Sequence, residues 1–164
     1  NNGKYLTTNG SATSWGSINP GTLLQVQSST TSTQSCTSVG GYSGNSADDW
    51  YDIGLSVSIT PSSTYSKIHI TINMFVSSAS SQYRLLRNST SIGNGNDGFT
   101  GLPGETGSTL GYNYLDSPTT TSACTYKVQV KIHTGSNGTF CLNRGTTGTT
   151  AQWASTITAM EITG

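Results

Sequence analysis

Between Tyr126 and His133 the side chains alternate without a break. Tyr126, Val128, Val130 and Ile132 are apolar, and Lys127, Gln129, Lys131 and His133 are polar. A β-strand repeats every two residues, so this segment buries one face and wets the other only as a strand. Ahead of it, Leu115 to Ala123 holds Asp116, Pro118 and a Ser/Thr run, which is turn chemistry. The same pattern recurs. Leu55, Val57 and Ile59 alternate with Ser56, Ser58 and Thr60 and stop at Pro61; Ile68, Ile70, Ile72 and Met74 alternate with Lys67, His69, Thr71 and Asn73. No stretch carries a helical period.

Weaker strand signals fill the intervals. Leu23 to Ser28 is a short strand, and Ser29 to Ser38 fits either a polar strand or a loop. Gln82 to Arg87 meets a polar turn at Asn88-Ser89-Thr90 and returns through Ile92, a hairpin signature. Tyr112 to Leu115 is another strand, and Ser155 to Ile162 closes the chain as one. Thr139 to Arg144 is expected to pair with the 126–133 strand through a turn at Ser136-Asn137-Gly138. These signals predict an all-β chain, an antiparallel β-sandwich of jelly-roll type with about eight strands. Asn1 to Asn19 has no sustained period, yet Tyr5, Leu6, Trp15 and Ile18 are too apolar for a free linker. Residues 1–19 are therefore expected to be an extended arm that docks on something, and residues 20–164 to be the sandwich.

Composition excludes several roles. Only 9% of residues are charged and the formal net charge is zero, so no long-range field draws the chain to nucleic acid or an anionic membrane. The seven basic residues form no run. No run of about 18 apolar residues is present for a membrane span. The 28 Thr and 26 Ser keep the surface polar without charge, and eight Tyr with three Trp and three Phe argue against disorder. The three cysteines, Cys36, Cys124 and Cys141, match no zinc or redox spacing. They are expected to be buried or idle thiols of a protein made in a reducing cytosol, with a Cys124–Cys141 bridge as the alternative.

No catalytic, phosphate-binding or metal motif stands out. His69 and His133 fall on the wet faces of their strands beside lysines. Asn94-Gly95-Asn96-Asp97-Gly98 resembles a calcium loop but lacks the bidentate carboxylate at the required offset. Asp48-Asp49 with Asp52 could pair for glycoside cleavage, but adjacent strand residues face opposite ways. No metal or other cofactor is expected. The functional signal lies in aromatics beside polar loop residues. Asp48, Asp49, Trp50 and Tyr51 form one candidate patch, and Asn94, Asn96, Asp97 and Phe99 a second. Aromatic faces next to Asp and Asn suit sugar recognition, although large aromatics also fill cores and interfaces.

Several segments, taken together, carry a resemblance. Gly3-Lys4-Tyr5-Leu6-Thr7-Thr8-Asn9-Gly10 followed by Ser14-Trp15 looks like the lead into the C-terminal head of phage tail-fibre and other virion structural proteins, notably those of cyanophages. Leu55 to Pro61, Arg84 to Thr90, Leu115 to Pro118, Tyr126 to Val130 and Ser155 to Ile162 follow in matching order. The resemblance implies a virion surface protein, a homotrimer with a jelly-roll head and no enzymatic site, assembled in the host bacterial cytoplasm. Its partners would be host-surface glycan or other virion proteins. Gly40 to Asp52 and Gly93 to Gly111 lie outside the resemblance, and variable loops on a rigid scaffold are where specificity resides. A start at Asn1 rather than Met suits the ordered end of a longer fibre.

Overall fold

The computed structural model describes residues 4–17, 19–39, 50–78, 81–94, 98–102, 105–132, 138–145 and 153–164. Among these the chain is all-β, with thirteen strands in three antiparallel sheets and no helix. The expected count of about eight is too low. Short strands in Ser/Thr-rich segments lack the apolar alternation that marks a strand in sequence.

The first segment is a hairpin. β1 (Lys4–Thr8) pairs with β2 (Thr13–Ser17) as a two-stranded sheet of its own. Asn9 Oδ1 accepts the backbone N–H groups of Ser11 and Ala12 and closes the turn, where Gly10 takes φ +92°. Opposite Tyr5 stands Gly16, whose missing side chain leaves room for the phenol ring.

The six-stranded sheet is built on β6 (Lys67–Ser78). One edge of β6 pairs with β10 (Glu105–Asp116) along its length. The other edge is shared: residues 67–73 pair with β13 (Ser155–Ile162), and residues 76–78 with β12 (Gly138–Leu142). β3 (Leu23–Thr31) lies outside β13, and β4 (Ser35–Val39) outside β12. The Ser29–Ser38 segment thus divides between two strands. β12 does not pair with the 126–133 strand as expected. β11 and β12 belong to different sheets, and local turn chemistry in sequence contains no information about which sheet receives the next strand.

The second sheet has five strands. β5 (Tyr51–Ile59), β11 (Cys124–Ile132) and β7 (Ser81–Arg87) are neighbours, and β8 (Thr90–Ile92) and β9 (Thr100–Leu102) share the outer edge of β7. The β7–β8 hairpin forms as expected, with Asn88 at φ 55° in its turn. The Gly93–Gly111 segment, expected to be a variable loop, contains β9 and the start of β10.

The two large sheets pack face to face over one core. Leu55, Val57, Ile59, Tyr126, Val128, Val130 and Leu85 meet Ile68, Ile70, Ile72, Met74, Val76, Ile157 and Ala159 there. Three polar clusters pin the edges. Where β6 passes from β13 to β12, Ser155 Oγ accepts the Phe75 N–H and Phe75 O accepts the Asn143 N–H. Asn143, at φ 59° and fully buried, also donates to the carbonyls of Thr31 and Thr33 and accepts from Ser155. The fork therefore leaves no orphan amide on Phe75, which would otherwise be costly. At the β5–β6 turn, buried Glu161 accepts Ser62 N–H, Ser62 Oγ, Ser66 Oγ and Gln25 Nε2. Burial opposes its ionisation, but these four donors outweigh that and hold the carboxyl below its ordinary range. At the end of β10, Asp116 accepts both Arg87 and the Tyr126 hydroxyl, which ties the two sheets together. Burial first, and that carboxylate next, push the Tyr126 phenol far up.

Cys36 of β4 and Cys141 of β12 stand directly opposite each other and form a disulfide, with Cα atoms 4.1 Å apart. The free cysteine is Cys124, buried in the core. The expectation of buried or idle thiols holds for Cys124 and is corrected for Cys36 and Cys141; the alternative Cys124–Cys141 bridge is corrected as well. The pairing follows from strand register across a separation of 105 residues, which no spacing rule reaches.

Candidate functional site

The outer face of the five-stranded sheet holds most of what the structure offers for recognition. Along β5, Ile53, Leu55, Val57 and Ile59 point into the core, so Asp52, Ser56 and Ser58 point out. Between Lys127↔Ser56 and Gln129↔Asp52 the register slips by two residues, a bulge centred on Gly54 at φ +80°. Two extra residues preserve the inward–outward parity and set Asp52 opposite Gln129. Gln129 in turn lies opposite Arg84 of β7. One polar row therefore crosses three strands.

The row is hydrogen-bonded from end to end. Gln129 Nε2 donates to Asp52 Oδ1 at 2.7 Å, and Arg84 Nε donates to Gln129 Oε1 at 2.8 Å. Lys127 Nζ donates to Asp52 Oδ2 at 2.9 Å. Partial burial resists ionisation of Asp52, but the bonds from Lys127 and Gln129 and the nearby charges hold its carboxyl below the ordinary range. Partial burial pulls the Arg84 guanidinium down, against the attraction of Asp52.

Trp50 sits over this row. The Arg84 guanidinium lies 4.4 Å from its ring centroid and the Lys131 ammonium 5.8 Å. Trp50 is only 9% exposed and Lys131 only 6%. The indole is therefore a seat for cations and not an open platform for a sugar ring.

The second expected loop returns to the same place. Gly98, at φ +75°, packs against Trp50: a Cβ there would lie 3.4 Å from the indole and 2.5 Å from the Tyr83 carbonyl oxygen. The Phe99 N–H donates to that same oxygen at 2.6 Å. Phe99 turns inward and stacks on Tyr112, 4.0 Å between centroids, with Tyr114 parallel beyond it at 6.4 Å. These half-buried rings pack along the core where β10 approaches β8 and β9.

Of the residues singled out from sequence, Trp50 and the Gly98–Phe99 end of the second loop come together. Tyr51 is half-buried against the core, and Asn94 is exposed. Asp48, Asp49, Asn96 and Asp97 lie outside the described residues, as do Ile18, His133 and the Gly40–Asn45 segment. The sequence reading passed over Arg84, Gln129 and Lys131. Strand parity placed Gln129 and Lys131 on a wet face and gave Arg84 no facing, and the row of Asp52, Gln129 and Arg84 depends on cross-strand register. Among the described residues no group of three or more His, Cys, Asp or Glu could hold a metal ion. Compared with protein-family models and with curated proteins, the chain matches none.

Proposed function

We propose that this chain is a non-enzymatic virion surface protein of a phage, the receptor-binding tip of a tail fibre that contacts host-surface glycan during adsorption. In this reading the two large sheets form a jelly-roll head, three copies assemble as a homotrimer, and the protein acts outside the cell on the particle surface. One observation supports it above the others. The two segments outside the family resemblance converge, with Gly98 against the Trp50 indole and the indole against Arg84, the end of the polar row Asp52–Gln129–Arg84. Specificity in such proteins resides in loops carried by a rigid scaffold. The test is binding of fluorescently labelled protein to cyanobacterial host cells before and after periodate oxidation of the surface glycans. Saturable binding lost on oxidation supports the reading; binding that survives oxidation unchanged overturns the glycan receptor.

The N-terminal hairpin favours a second reading, a capsid decoration protein. Tyr5, Leu6 and Trp15 are 53%, 61% and 51% exposed on a two-stranded sheet, which is marginal without a partner. Removal of residues 1–18 would then abolish attachment to stripped capsids and spare the head.

A further inference from the structure

The Arg84 guanidinium is fixed on two sides and, among the described residues, has no partner on the third. Its Nε is committed to Gln129 Oε1 at 2.8 Å, and Gln129 is itself oriented by its bond to Asp52. One face lies on the Trp50 indole. Among the described residues neither terminal nitrogen of Arg84 has a hydrogen-bond partner, and neither is buried. A guanidinium carries its donors in a planar fork, and a fork held this way presents a pair of parallel N–H groups in one orientation.

We propose that Arg84 is the anchor of a carboxylate-binding site and that the glycan recognised by this face is an acidic sugar carrying a uronate-type carboxyl group. The inference rests on the receptor-binding reading above. Three of the seven basic residues, Arg84, Lys127 and Lys131, share this sheet face with Asp52, and Lys127 is engaged by that carboxylate. Among the described residues these three cations outnumber the one carboxylate on the face, a balance that favours an anionic ligand over a neutral one. The planar fork suits two coplanar oxygens. A tetrahedral phosphate or sulfate would present a third oxygen, and Lys131, the next cation over the same ring, is already engaged. Gly98 lies against the Trp50 indole and the Tyr83 carbonyl with no room for a side chain. The Trp50 ring raises the local value of the cation by shielding one guanidinium face from water. Gln129 and Asp52 are positioning residues: they hold Nε and leave the terminal nitrogens to the ligand.

The test uses the whole chain and follows the Arg84 Nε–H and Trp50 indole N–H resonances by nitrogen-15 NMR. The ligands are D-glucuronate, D-glucuronamide and N-acetyl-glutamate. Saturable shifts of both resonances with glucuronate, at least about tenfold weaker with the uncharged amide, support the site. Equal response to acid and amide, or no response to either, overturns it. Tighter binding of N-acetyl-glutamate than of glucuronate also overturns it, in favour of a protein partner. R84K keeps the charge and loses the fork, so it should reduce glucuronate affinity about tenfold; unchanged affinity counts against the proposal. Host-cell binding that is saturable but indifferent to R84K would sink the acidic-sugar inference and leave the fibre-tip reading standing. Glucuronate binding without any cell binding would do the reverse.

Discussion

Reducing the Cys36–Cys141 disulfide perturbs the fold while deleting no atom of the core. The bridge joins residues 105 apart in sequence, so it removes a long loop's freedom from the unfolded chain. The chain-entropy relation gives about 4.7 kcal/mol for a loop of about 100 residues, and residual structure in the unfolded chain lowers this toward about 3 kcal/mol. With a urea dependence of about 2 kcal/mol per molar, the unfolding midpoint should fall by about 2 M on reduction. C36S should show the same loss and be indifferent to reductant, because Cys36 is exposed and its replacement leaves no cavity. The bond also holds β4, which among the described residues pairs as a strand only with β12. Reduction should therefore open β4 to protease before β5 or β11. The assay is urea unfolding by tryptophan fluorescence, with and without reductant, alongside peptide mapping of the oxidised protein. A midpoint change below about 0.3 M, or a mapped bridge containing Cys124, would refute the reasoning.

Three other perturbations probe the polar clusters. The depressed Glu161 carboxyl stabilises the fold in its ionised form, fully above the ordinary glutamate value of about 4.3, and that stability is lost as pH falls through the folded value. E161Q should cost about 1–3 kcal/mol at pH 7 and flatten the acid limb of a urea-midpoint profile; an unchanged slope would contradict this. N143A loses its side-chain bonds to Thr31, Thr33 and Ser155 and puts a β-carbon residue without a local hydrogen bond at φ 59°. The expected cost is about 2–4 kcal/mol by thermal melting, with faster amide exchange at Phe75; a cost below about 0.5 kcal/mol would show that the β6 fork does not depend on it. Y126F leaves one lone pair of the buried Asp116 carboxylate without its donor at 2.7 Å. Its expected cost is about 1–3 kcal/mol in urea unfolding, and a neutral result would assign the sheet-to-sheet tie to Arg87 alone.

Much of the sheet structure was legible because apolar alternation and burial are the same physical fact. In β5, β6 and β11 the alternating apolar residues lie in the core and most of the intervening polar ones are exposed or half-buried, while β13 keeps the period but buries the polar Ser155 and Glu161. The β7–β8 hairpin was legible too, since Asn88 in a tight turn takes the left-handed conformation more readily than most residues. β3 and β4 were blurred for the opposite reason. Their Ser/Thr-rich residues are mostly exposed or half-buried, so no apolar face imposes a period. The partner of β12 was misread because a turn's chemistry is local while the choice of sheet is made by packing. The candidate site shows the same division. Trp50 and Phe99 could be picked out as loop aromatics, but their rings turned out to be committed, one to Arg84 and the other to Tyr112. Gln129 was a plain wet-face residue and Arg84 merely part of a strand until register, including the Gly54 bulge, set them in line with Asp52.

The fibre-tip reading is tested most directly by competition for phage adsorption. Host cells are incubated with increasing purified protein, then challenged with the phage, and unadsorbed particles are counted. Receptor binding predicts a saturating block of adsorption, lost in R84K in proportion to its weaker binding. Undiminished adsorption at protein concentrations that saturate the cells would contradict it and move the protein to the capsid-decoration reading, with the Tyr5–Trp15 hairpin as its working part.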